Sequence, residues 1–540
     1  MSDGGSPGKA RDTAEKPIAT PRWWQTRTAM MVFIALAVVP LLWPTIPPLS
    51  DLPGHIGRYR IMAEAGRPPL SQHYAVHWAL IGNLGVDGLV LAIAPLLGIE
   101  LAAKIVVMLI PLLSVAAMLW LAREVHGRVP ATAGFALPLA YASPFQLGFV
   151  NFALATALVL AALALWLRLT RRGTSPWVRA LVFVPISCLI FVCHSFGWAM
   201  LGLFVFGAEW AIGRKAGRTV AGAGARAALM CAPMALPLAL LVLGGPDHLA
   251  GGTGIWFDVR LKLFWIGSLL RERWQVYDVA SAFLLYAVIA VGLRSRRFSV
   301  APVLAVPALL GAITFVLLPA FYAGGSMVDM RLLPTTVALA LLAIDVGEDK
   351  LANRIAAAAA AFFAIRTATT TIAFLLFAQG QTAALRAIDA MPQGASVLVL
   401  VNEPAADNWT NPRLGHIAGL AIARRGIFTN EQWALAGQQL VRPLHPTAAP
   451  FDRDPSQLIY PATVAGGMSL RQAIATFDRR TFGYVWTVGF PTGAACAADL
   501  QVIWSNASST LYRVTPSLQA KSAAPCTAAT PVARKAAPSG

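Results

Sequence analysis

The stretch Phe149-Val-Asn-Phe-Ala-Leu-Ala-Thr-Ala-Leu-Val-Leu-Ala-Ala-Leu-Ala-Leu-Trp-Leu167 carries no charge, and Arg168, Arg171, Arg172 and Arg179 follow it closely. An apolar run of about 17–25 residues satisfies its own backbone as a helix and is long enough to cross the hydrocarbon core of a bilayer. Basic residues just beyond such a run mark the cytoplasmic side. The same reading extends outward to most of the chain. Of 540 residues, 57% are hydrophobic and 13% charged, against roughly 25% charged in an ordinary globular protein. A soluble protein of this composition has too few polar side chains to cover its surface, and a disordered one needs the opposite bias. The net charge of +18 would suggest nucleic acid in a soluble chain. Here it maps to loops facing anionic lipid, so membrane lipids and not nucleic acid are the expected partners.

The polar residues 1–28 read as a disordered cytoplasmic tail. The first span, 29–46, is followed by Pro47-Pro48 rather than a small-residue cleavage site, so it reads as uncleaved. Further runs lie at 105–121, 131–141, 149–167, 180–192, 198–212, 227–243, 279–293, 301–319, 332–344 and 355–377. Together they make eleven spans. The apolar segment 84–99 is short and carries Asp87; it is a twelfth span or a helix lying at the interface. Eleven crossings place Arg123/Arg128, Arg168/Arg171/Arg172/Arg179, Arg214/Lys215/Arg218/Arg226, Arg294/Arg296/Arg297 and Lys350/Arg354 on one side. The turns around 143–146 and at His194 carry no Lys or Arg. That is a positive-inside pattern with the N-terminus inside and the C-terminus outside, whereas a twelfth crossing at 84–99 would export the basic loops.

The expected fold is thus an all-α polytopic membrane protein with a transmembrane domain over 29–378 and long outer loops at 47–104 and 244–278. A small extracytoplasmic α/β domain follows over 379–515. Strand signals at 397–401, 482–490, 500–503 and 510–514, with a helix over 416–425, define it. Residues 516–540, rich in Ala, Pro, Lys and Ser, read as a disordered tail. Cys188, Cys193 and Cys231 fall in apolar spans, while Cys496 and Cys526 fall on the oxidising side, where a disulfide between them is permitted.

Chemistry concentrates in the first outer loop, Ser50-Asp51-Leu-Pro-Gly-His55-Ile-Gly-Arg58. A carboxylate at a span end, in a Pro/Gly-flanked segment, is partly desolvated and reaches both lipid and water, which suits a base. His73 and His77, at i and i+4, would share a helix face. With Asp51 and His55 they are candidate ligands for a divalent metal ion, the one cofactor this reading allows. The alternative is that Asp51 caps the helix beginning near residue 52 and the histidines pack at the interface. Outer-loop cations, Arg58, Arg271 and Arg273 among them, run against the positive-inside trend and would bind an anionic substrate or pair with acidic loop residues. Arg331 sits at the outer mouth of the tenth span with a donor fork suited to phosphate, and Asp329 would orient it. His194, in an outer turn, is a candidate substrate contact or a helix cap. No nucleotide-binding loop, zinc-protease helix or Gly-x-Ser-x-Gly elbow is present.

This layout resembles integral-membrane glycosyltransferases of the GT-C class, which use polyprenyl-phosphate-linked sugars: an inside N-terminus, one span, a long outer loop opening on an acidic residue, about ten further spans and an outer soluble domain. It is also similar to bacterial multi-span membrane proteins with an Asp-Leu-Pro-x-His loop. The class resemblance implies that Asp51 activates an acceptor (a glycan, lipid or protein) and that Arg331, with Arg271 and Arg273, holds the lipid phosphate. It implies a place in the bacterial inner membrane. Many members carry Asp-Glu or Asp-x-Asp in this loop, whereas Leu52 and Pro53 follow Asp51 here. The rival readings are a transporter or flippase of a lipid-linked or anionic solute, drawing on Asp345 and Arg366 as near-span charges, and a non-catalytic envelope-assembly protein.

Overall fold

A computed structural model describes residues 22–239, 252–402, 409–434, 438–445, 451 and 468–515. Nearly all of the N-terminal tail, the C-terminal tail with Cys526, and the last residues of the 227–243 run lie outside these. Among the described residues six helices are long and apolar enough to cross a membrane: Ile99–His126, Val150–Arg171, Pro176–Cys193, Ser195–Lys215, Gln275–Arg294 and Asp349–Ala390. The chain is a multi-pass membrane protein.

The other runs fold as shorter or broken helices. The first is split into Arg27–Leu36 and Val39–Leu42, with Pro40 at the start of the second piece. Residues 131–141 become Ala133–Ala136 followed by a 3-10 helix, Leu137–Tyr141, with Pro138 near the junction. Both broken segments connect the same two levels. Trp24 Nε1 donates to Val129 O at 3.1 Å at one end, and Asp51 N donates to Leu147 O at 3.0 Å at the other. Irregular backbone survives at this depth because protein surrounds it, and every residue of Leu137–Tyr141 is buried. The 84–99 segment forms Gly85–Leu97, 13 residues long. At 1.5 Å per residue it spans only about 20 Å, short of the roughly 30 Å hydrocarbon core. Asp87 in its first turn is buried against Arg58 of the first outer loop.

The C-terminal domain, expected on the outer side and called the outer domain for that reason, is built on a mixed sheet whose order is Phe428–Thr429, Ser396–Val401, Tyr484–Val488, Ser509–Val514, Leu500–Asn506. Ser396–Val401 runs parallel to both its neighbours and is buried on both faces, as its unbroken Val/Leu run demands. Cys496 is disulfide-bonded. All four strands expected from the sequence are present; the two-residue edge strand and the helix Leu470–Thr476 are additional.

The domain grips the first outer loop at two places. Tyr74–Val76 pairs antiparallel with Val441–Pro443, Tyr74 opposite Pro443. The expected helix through His73 and His77 is therefore absent. In an extended chain residues four apart lie about 13 Å apart instead of about 6 Å. Elsewhere the helix Leu52–Ala63 packs on Gly419–Arg425 so closely that a Cβ at Gly57 would stand 2.8 Å from Gly419 O, and one at Gly419 would collide with Pro53. Only glycine permits that approach.

Buried charge joins the outer domain to the membrane helices. Arg413 donates to Pro48 O at 2.6 Å, Gln146 O at 2.8 Å and Gln146 Oε1 at 2.8 Å. Gln146 Nε2 donates to Glu272 Oε1 at 2.7 Å. Arg366 bonds Asp278 Oδ1 at 2.8 Å, while Asp278 Oδ2 accepts from Glu272 N, Arg273 N and Trp409 Nε1. Near the opposite membrane face Glu209, fully buried, accepts from Trp166, Arg179 and Arg226. Near-span charge is thus richer than Asp345 and Arg366, and Asp345 itself pairs with Arg128 at that opposite face. Replacing Asp278 by Ala strips four donors of their acceptor. Removing one partner of a buried pair costs about 3–5 kcal/mol, so Asp278→Ala in detergent should melt well below the wild type, and an unchanged melting temperature would contradict the network.

Candidate active site at the junction of the two domains

Asp51 ends the approach to the helix Leu52–Ala63 but makes no side-chain capping bond, which answers the capping alternative. Its backbone is held from behind: Asp51 N donates to Leu147 O, and His55 N donates to Asp51 O at 3.0 Å. Gly148, at φ +88, packs against it, and a Cβ there would lie 2.7 Å from Asp51 N. The carboxylate is consequently turned outward and is 21% exposed, with His416 Nε2 at 3.7 Å from Oδ1. His416 turns its other nitrogen toward Glu431, 3.6 Å away, and lies against the Trp433 ring at 4.4 Å between centroids. His416, Glu431 and Trp433 all come from the outer domain. Sequence reasoning missed them as site residues, because nothing in a lone His or Glu of a loop announces which membrane residue it will cover.

Arg331 enters from the helix Val328–Leu342. Its guanidinium stacks on Phe149 at 4.3 Å, lies 3.2 Å from His194 Nε2 through Nη1, and donates to Ser326 O at 3.0 Å. Asp51 is the carboxylate whose charge acts on it. Its Nε is buried without a hydrogen-bond partner among the described residues. His194 and Arg331, far apart in sequence, thus meet, and Asp51 stands beside them through Gly148, whose neighbour Phe149 carries the Arg331 guanidinium; His55 lies on the same side, near Tyr59 and Trp433. Burial, with Arg58 next, holds His55 well below the ordinary imidazole range. Burial and then the Arg331 charge push His194 down to about 3. The geometry agrees: Phe196 N faces Nδ1 and Arg331 Nη1 faces Nε2, so both neighbours are N–H donors and neither offers an acceptor to the second proton of an imidazolium.

Other candidates are placed elsewhere. Arg58 is 2% exposed, pairs with Asp87 at 2.8 Å and donates to Gln439, so it is a structural cation with no open face for substrate. Asn151 completes that cluster by donating to Asp87 at 2.8 Å. Asp329 does not orient Arg331; it is fully buried against Lys262 at 2.7 Å. Arg271 donates to Trp409 O and Thr410 O and stacks on Phe264, clasping the outer domain. Arg273 lies over the Trp274 and Phe377 rings. His73 contacts Gly394 O and His445 Nε2, each at 3.0 Å, and His77 is exposed. They do not join Asp51 and His55. Among the described residues no three His, Cys, Asp or Glu side chains converge on one point, and His416 presents opposite nitrogens to its two carboxylates.

A histidine with a depressed pKa carries a signature in stability. Between about pH 3 and its ordinary 6.5, His194 binds a proton in the unfolded chain but not in the folded one, so stability falls as pH drops through that window. The melting temperature should therefore decline from pH 7 to pH 4, with a shallower slope in His194→Gln. Identical slopes would show that His194 takes up its proton without unfolding. Gly148→Ala, forced into a conformation that L side chains avoid, should cost about 1–3 kcal/mol and displace the Asp51 backbone.

No protein-family model matches the chain, and no curated protein matches it. Among solved structures it is similar to the crystal structure of ArnT from Cupriavidus metallidurans bound to undecaprenyl phosphate. The TM-score is 0.50 and the identity 13%, over 91% of this chain and 99% of that one. The apo-state crystal structure of ArnT aligns with TM-score 0.48 and 12% identity, over 89% of this chain and 97% of that one. At such identity the likeness is one of fold: the chain shares the overall architecture of ArnT.

Proposed function

We propose that this protein is a membrane glycosyltransferase that moves a sugar from a polyprenyl-phosphate donor to an extracytoplasmic acceptor. The chain would cross the bacterial inner membrane eleven times with its N-terminus inside and the sheet domain outside. The observation that carries the reading is the convergence of an outward-facing carboxylate, Asp51, with a buried guanidinium, Arg331, at the seam between membrane helices and outer domain. The fold shared with ArnT, whose crystal structure holds undecaprenyl phosphate, supports the donor class.

In this reading the lipid phosphate lies against Arg331, whose unpartnered Nε supplies a donor for it. Asp51 accepts the proton of an acceptor hydroxyl as that oxygen forms its bond to the anomeric carbon. The bond from that carbon to the phosphate oxygen breaks, and polyprenyl phosphate departs with the electron pair. Arg331 stabilises the charge that collects on the leaving phosphate. A single displacement inverts the anomeric centre. His416, held between Asp51 and Glu431, sets the position of the base, and Trp433 offers a flat apolar face beside it. The transport alternative loses a footing in Asp345, which is paired at the membrane face opposite Asp51.

The test is turnover of radiolabelled polyprenyl-phosphate sugars by purified protein in nanodiscs. Removing a general base typically costs about 10²–10⁴-fold, so Asp51→Asn should lose that much turnover while eluting as folded protein. Arg331→Gln should lose about 10²–10³-fold, in keeping with loss of a charge-stabilising donor. Full turnover by Asp51→Asn would overturn the assignment of the base.

A further inference from the structure

At the membrane face opposite Asp51, the ends of Ile99–His126 and Val150–Arg171 enclose a cavity of about 450 Å³ lined by Trp120, Arg123, Glu124, Arg168, Arg171 and Arg172. Four guanidinium groups surround a single carboxylate. Glu124 is already engaged by Arg171, by Trp120 Nε1 at 3.0 Å and by Arg168 at 3.9 Å. Arg123 and Arg172 have no carboxylate partner among the described residues.

Arginines near helix C-termini are commonplace, since they complement the helix dipole and follow the positive-inside rule. Those tendencies do not explain why these four gather around one cavity. Exposed like charges separate into water unless something anionic holds them together. Gly127, at φ +72, turns the chain out of the helix, and a Cβ there would meet nothing, so that side of the cavity is open. A second feature points to the ligand. Leu109 and Leu113 are exposed on the same stripe of the helix as Trp120 and Arg123. The spacing of four, seven and three residues keeps all of them on one face. An acyl chain lying along Leu109 and Leu113 would bring its headgroup to Trp120 and Arg123.

We propose that this cavity binds the headgroup of an anionic phospholipid from the leaflet opposite the Asp51 site. The phosphate lies between Arg123 and Arg172, Arg168 and Arg171 contribute charge from the far wall, and Trp120 sits at the acyl boundary. The site is separate from the proposed catalytic seam and holds whether or not the protein transfers sugars.

The experiment is native mass spectrometry of the full-length protein released from nanodiscs of phosphatidylcholine doped with phosphatidylglycerol. The wild type should retain phosphatidylglycerol in preference to phosphatidylcholine. Arg123→Gln with Arg172→Gln should reduce that retention by about fivefold for each arginine lost, leaving phosphatidylcholine retention unchanged. Should the double variant not elute as monodisperse protein, Arg172→Gln alone, at an exposed helix end, carries the test. Equal retention of the two lipids by the wild type, or equal phosphatidylglycerol retention by wild type and variant, would overturn the proposal. Displacement of the lipid by inorganic phosphate at matched concentration would also overturn it, in favour of a site for a free anion.

Discussion

Arg413 is the point on which the architecture turns. A guanidinium buried where membrane helices meet a soluble sheet is tolerable only if its donors are satisfied, and here they reach Pro48, Gln146 and, through Gln146, the carboxylate of Glu272. Pro48 belongs to the segment leading into Asp51, Gln146 to the turn that backs it, and Glu272 to the second outer loop. One side chain of the outer domain therefore holds three parts of the membrane domain in register. Asp278 extends the same network to Arg366 and to Trp409. Because an unpaired charge at that depth is so costly, these segments are held to one arrangement.

That arrangement decides which charges remain available for chemistry. The outer loops are rich in cations, yet Arg58 is used by Asp87, Lys262 by Asp329, and Arg271 by the backbone of the 409–410 turn. Each such pairing removes a cation from competition for an anionic substrate. Arg331 is different: its contacts are an imidazole, a carbonyl and two aromatic faces, with Asp51 acting through its charge. The Asp51 carboxylate is likewise kept outward by a glycine behind it and a histidine in front. The seam is polar where it must bind and apolar around that, through Phe149, Phe152 and Trp433.

Asp51 was legible because a carboxylate directly after a span, in a Pro/Gly segment, is unusual in local sequence, and Arg331 and His194 stood out for the same reason. His416 and Glu431 were not: His416 heads the stretch read as a helix over 416–425, which begins only at Gly419, and a lone His or Glu of a soluble domain has no local mark of function. The pair His73 and His77 misled because their spacing suits a helix, whereas Tyr74 and Val76 found a strand partner more than 360 residues away. Asp329 misled by proximity: two residues from Arg331 along the chain, it is drawn instead to Lys262 across the fold.

Hydropathy and the β-branched runs after residue 395 settle that the chain is a multi-pass membrane protein carrying a small α/β domain. These are local properties, since a helix in lipid and a buried strand each need only their own residues to declare themselves. Where the proline-broken spans end, which cations are spent in ion pairs, and which loop residues cover Asp51 depend on contacts between segments hundreds of residues apart. Those contacts are chosen by satisfying buried polar groups and by close helix approach at Gly57 and Gly419, and neither constraint exists until the chain has folded.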